Sequence, residues 1–147
     1  HDTSRNNRRT IFALQQEIQA MKGGGREFFS ARQQERIVFK KDDMFEKVDE
    51  ESLKGSILWL VPSAQKNMME PMLVRLGPGG KTAEIPAHEG EEFAYVLSGD
   101  IVLILGQTRH KLRRGESFCL HPRAPHHIEN PGKREAQFLW TSTPPSF

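Results

Sequence analysis

A chain of 147 residues is long enough for one domain with a full core and an appendage, and short for two independent domains. Its 36% hydrophobic and 27% charged residues are those of an ordinary soluble protein, and no apolar run approaches the roughly 20 residues of a membrane-spanning helix. A net charge of +2 lacks the strongly basic balance that alone points to nucleic acid; the single cysteine, Cys119, excludes an internal disulfide and a cysteine-built zinc site, and suits the cytoplasm.

The charge is unevenly spread. Residues 1–41 hold nine Lys or Arg against four Asp or Glu, whereas Asp42 to Glu51 hold six acids and one lysine and read as a solvated turn or helix. Within the basic head, Ile11, Leu14, Ile18 and Met21 recur at spacings of three and four, which predicts a short amphipathic helix capped by Thr10 and ended by Gly23, Gly24 and Gly25. Such a helix needs a surface for its apolar stripe: the rest of the chain, a partner, or a domain outside this sequence. After Phe28 and Phe29 the pattern turns to short β-type runs, at Arg36 to Lys40, Ser56 to Val61, Met72 to Leu76, Glu92 to Leu97, Ile101 to Leu105, Ser117 to Leu120 and Ala136 to Thr141. Turn chemistry separates them, at Gly77-Pro-Gly-Gly80, Ser98-Gly-Asp100, Gly106-Gln107, Arg114-Gly115 and Asn130-Pro-Gly132. Many short strands with regular turns predict an all-β sandwich or barrel.

Five of the six histidines, His88, His110, His121, His126 and His127, fall in this β-rich part. His88 and Glu92 are an even number of residues apart, so on extended chain they leave the same face and converge. Joined by His126 from a later strand they make a two-histidine, one-carboxylate set suited to iron, manganese or zinc. The same residues also suit a polar barrel mouth with Glu92 paired to an arginine. His127 is expected on the opposite, outer face. Arg75 and Arg109 are candidates for gripping an anion, or for simple solvation. Phe138 and Trp140 share a face and read as core.

The run Gly80-Lys-Thr-Ala-Glu-Ile-Pro-Ala-His-Glu-Gly-Glu-Glu92, continued to Gly99, resembles the first motif of the cupin superfamily, and Gly115 to Asn130 resembles the second. Together they cover about two thirds of the chain and imply a double-stranded β-helix with a short N-terminal helix, divided into residues 1–34 and a barrel over 35–147. Pro86 stands where the family has its first metal-binding histidine and has no donor atom. His88, Glu92 and His126 match the remaining ligand positions. A divalent metal (Zn, Fe, Mn or Ni) is therefore expected to be held weakly, with His121, in place of the usual proline, as a possible substitute ligand.

Met69 to Val74, His88 to Phe93, Tyr95 to Gly99 and the ending Leu139 to Phe147 look like the sensor domain of bacterial regulators that join a helix-turn-helix of the XRE type to a cupin. Leu14 to Ser30 is similar to the last helix of that DNA-binding domain and its linker. The resemblance implies a small-molecule effector, and His88, Glu92, His126, Arg75 and His121 are the residues expected to touch it. It also implies a homodimer, and DNA bound through a helix-turn-helix absent from this chain, with no catalytic residues. The alternative is a small metal-dependent enzyme of dioxygenase or isomerase type.

Overall fold

The computed structural model describes residues 36–62 and 67–144. The helix expected over Thr10 to Met21, and with it the proposed 1–34 segment, lies outside the described residues. Nine strands follow in order: β1 (Phe45–Asp49), β2 (Gly55–Trp59), β3 (Glu70–Leu76), β4 (Glu91–Ser98), β5 (Asp100–Leu105), β6 (Thr108–Arg113), β7 (Ser117–Leu120), β8 (His126–Glu129) and β9 (Ala136–Thr143). All pair antiparallel, in a six-stranded sheet ordered β1-β2-β3-β9-β4-β7 and a three-stranded sheet ordered β6-β5-β8. This is the cupin double-stranded β-helix that the motifs imply. No helix among the described residues is long and apolar enough to cross a membrane.

The strands form because alternate residues have a core to enter. On β4 and β9 every second side chain is buried: Glu92, Ala94 and Val96 on one, Ala136, Phe138, Trp140 and Ser142 on the other. The pairing lines these up in cross-strand rows. Ile57, Val74, Phe138 and Val96 form one; Trp59, Met72, Trp140, Ala94 and Phe118 the next; Glu70, Ser142, Glu92 and Leu120 the third. Ile101, Leu103, Leu112 and Ile128 complete the core from the small sheet. Burying each large apolar side chain contributes about 1.5–3 kcal/mol, so the first two rows carry much of the fold's stability.

Two glycines set where β4 begins and ends. Gly90 has φ 102°, and a Cβ there would sit 1.6 Å from the Thr143 carbonyl oxygen, so only glycine lets the chain enter β4 beside β9. Gly99, at φ 74°, makes the tight turn into β5.

The first strand is not where the sequence pattern put it. Residues 36–40 are irregular and lead into a single-turn 3-10 helix at Lys41–Asp43; Ile37 and Val38 are exposed, and no strand among the described residues pairs with them. The strand lies inside the acidic stretch instead. β1 pairs with β2, packing Phe45 against Trp59 with ring centroids 6.0 Å apart and turning Glu46 and Val48 outward. A strand with one solvated face needs apolar residues at only some positions, so its acids disguised it.

Candidate metal and ligand site

The two motif runs lie antiparallel to each other. Ile85 and His126 exchange backbone hydrogen bonds of 2.8 and 2.9 Å, the Thr82 N–H donates to Ile128 O, and the His88 N–H donates to Pro122 O at 3.0 Å. This sets Ile85 opposite the start of β8, where His126 points inward, and His88 opposite Pro122 just before it. Gly90 then turns the chain into β4, and Glu92 takes the first inward position.

The three side chains meet. His88 Nε2 lies 2.9 Å from Glu92 Oε2, and His126 Nε2 contacts the same oxygen. Trp140, inward on β9, donates its indole N–H to the other oxygen, Oε1, at 2.9 Å. Glu92 and His126 are each 1% exposed, and His88 is half-buried. Both rings are anchored from behind: His88 Nδ1 donates to Glu89 O at 2.8 Å and His126 Nδ1 to Ala124 O at 3.0 Å. A carbonyl only accepts, so Nδ1 carries a proton in each ring, and Nε2 faces Glu92.

The electrostatics follow from that convergence. Burial pushes the Glu92 carboxyl up, but hydrogen bonds from His126, His88 and Trp140, with the charge of His126, outweigh it and hold the group below the usual carboxylate value. Burial draws His126 down, and the hydrogen bond and charge of Glu92 outweigh it and raise the imidazole. Two Nε2 atoms and a carboxylate oxygen turned on one point call for a cation between them, a proton or a metal ion. The ligand atoms lie within 4.8 Å of one another, and the Nδ1 anchors are the outer-shell bonds that fix an imidazole for coordination. This donor set fits a divalent metal with open positions.

The other expected residues are placed elsewhere. Arg75 is at an outward position of β3, between inward Val74 and Leu76, and pairs with Glu135 at 3.2 Å on the surface. His121 falls just beyond β7, exposed, 3.9 Å from Glu91. Neither reaches the cluster, so the expectation that they line the same site is corrected. Pro86 is exposed. His127 faces away from the core and meets Glu129 at 2.7 Å, and Arg109 lies 4.0 Å from that carboxylate. Trp140 is the residue that reading it as core missed. Its signal was available: a buried indole needs an acceptor, and its neighbour across the sheet, Ala94, is two residues from Glu92 on the same face.

Residues 72–142 match the family model described as Cupin domain. The HTH-type transcriptional regulator PuuR of Escherichia coli (strain K12) is 29% identical over 125 residues, which cover 82% of this chain and 65% of that regulator; the chain therefore spans less than two thirds of its length. Among solved structures, the sugar phosphate isomerase from a cupin superfamily of Silicibacter pomeroyi has a TM-score of 0.59 at 23% identity, covering 73% of this chain and 75% of that one. The cupin domain of an XRE family transcriptional regulator from Enterobacter cloacae has a TM-score of 0.53 at 20% identity, covering 71% of this chain and 99% of that one. At these identities the two structures share the fold with this chain.

Proposed function

The chain belongs to the cupin family, and from that premise we propose that it is the small-molecule-sensing and dimerising domain of a bacterial transcription regulator, working in the cytoplasm and reaching DNA through a helix-turn-helix that is not among its residues. The observation that carries this reading is the buried Glu92, held at one end of the barrel by His88, His126 and Trp140. It is a preorganised polar centre in an apolar interior, which is what a recognition site requires. The similarity to PuuR over most of the chain supports the regulatory context. Pro86 supports it too, because losing one of the ligands that the motif implies does not disable a domain that only binds.

Dimerisation is supported by the outer face of the large sheet. Leu58, Leu73, Leu139 and Tyr95 form a continuous cross-strand row, with Phe93 and Leu97 exposed beside it, on a face where an antiparallel sheet ordinarily presents polar residues. A second copy is the proposed cover. Leu139→Lys is expected to shift the chain to monomer in light scattering while leaving it folded.

The second reading, a metal-dependent enzyme, is favoured by the inward Nε2 atoms of His88 and His126. A metal bound there would act as a Lewis acid on an oxygen of the substrate. The chain's own residues would hold and orient it.

Metal analysis of protein purified without chelators, with a thermal-shift screen of small metabolites, separates the two. A regulator domain shows ligand-raised melting by mass action and no turnover. Stoichiometric metal with turnover lost in His126→Ala would overturn the sensor reading.

A further inference from the structure

The interior holds a second polar group that the histidine-glutamate cluster does not engage. Trp59 faces inward from β2 opposite Met72, is 8% exposed, and its indole N–H has no acceptor among the described residues. A buried donor left unpaired is costly, and the other tryptophan, Trp140, shows how this interior satisfies one, by donating to Glu92. The row next to Trp59 is the polar one: Glu70, Ser142 and Glu92, all buried, side by side on β3, β9 and β4. Rows along a strand are about 6.7 Å apart and neighbouring strands about 4.8 Å, so Trp59 stands one row and one strand from Glu70 and three strands from Glu92.

We propose that the Trp59 indole N–H is the donor of a ligand subsite running from β2 past Glu70 and Ser142 to Glu92, and that its occupant is a neutral, hydroxyl-bearing small molecule. The chemistry excludes the other classes in turn. An indole N–H only donates, so the ligand atom beside it must accept, which an ammonium group does not do. An anionic carboxylate or phosphate would be set against the Glu92 carboxylate in a buried site. A hydroxyl accepts from Trp59 and donates to a carboxylate or to Ser142, and its carbon frame packs on the rings of Trp59 and Phe45. This inference rests on the sensor reading and specifies what that site takes.

The test follows the two indole N–H signals of the isotope-labelled full chain by NMR, assigned with Trp59→Phe, while three probe classes are added: glycerol and xylitol, propionate, and propylammonium. A polyol is expected to move the Trp59 signal downfield and raise the melting temperature. Trp59→Phe should bind that polyol at least about tenfold more weakly, while its unliganded melting temperature stays the same or rises. Polyol binding that raises melting but leaves Trp59 unmoved overturns the subsite alone. Propionate or propylammonium moving Trp59 in place of the polyols overturns the ligand class. No response from any probe, in either indole or in melting, overturns the subsite and the sensor reading together.

Discussion

The two ends of the barrel interior are built on the same strands and have opposite characters. On β9, two-residue steps lead from Phe138, packed between Val74 and Val96, to Trp140, half in each world, and then to Ser142 between Glu70 and Glu92. β4 makes the same passage from Val96 through Ala94 to Glu92. One end is apolar and holds the sheets together. The other gathers a carboxylate, two imidazoles and an indole N–H around one point. Stability and binding are thus divided by position along shared strands, so substitutions a few residues apart should have separable effects.

Phe138→Ala, at the apolar end, is the largest test of that division. A buried phenylalanine truncated to alanine typically costs about 3–5 kcal/mol, and urea unfolding should show a loss of that size while zinc affinity of the folded protein stays within a few-fold. Loss of metal affinity with little loss of stability would break the comparison. Trp140→Phe should do the reverse. Removing the N–H that steadies Glu92 Oε1 is expected to weaken zinc binding by about 10–100-fold in calorimetry, with a loss of stability smaller than that of Phe138→Ala because an aromatic ring still fills most of the site.

A smaller effect is the pH dependence of the metal-free protein. Glu92 is held below its ordinary value of 4.5, so its contribution is present above that pH and is lost as pH falls through the lowered folded value. His126 is raised above 6.5, so its contribution is complete below that pH and is lost as pH rises through the raised folded value. The melting temperature of the metal-free chain should therefore be highest between about pH 4.5 and 6.5, and Glu92→Gln should flatten that maximum. The smallest expectation concerns the exterior. Arg75→Ala removes a surface pair with Glu135 and should leave melting and zinc affinity unchanged within error.

Much of this architecture was legible in the residues. The turns at Gly99, Gly106 and Gly115 all have positive φ, so the glycines that punctuate the sequence mark real reversals between strands. His88 and Glu92 do meet, but through the bend at Gly90 and not by strand alternation: His88 lies before β4, and residues four apart on extended chain would stand about 13 Å apart. What stayed hidden had physical causes. β1 and β6 have faces open to solvent, so Glu46, Asp49, Arg109 and Lys111 erase the apolar alternation that announces a strand. Arg36 to Lys40 has the right composition but no neighbouring strand to bond among the described residues. Trp140 reaches Glu92 across 48 residues, a contact that depends on the β4–β9 register and on no local pattern.

The outer strand of the small sheet limits how copies of the molecule can meet. Among the described residues β6 pairs with β5 alone, and Arg109, Lys111 and Arg113 are exposed along it. A second β6 laid alongside would bring rows of like charge into register on both sides of the new seam, so the sheet stops growing there. Filament-like extension edge to edge is thereby disfavoured at this border.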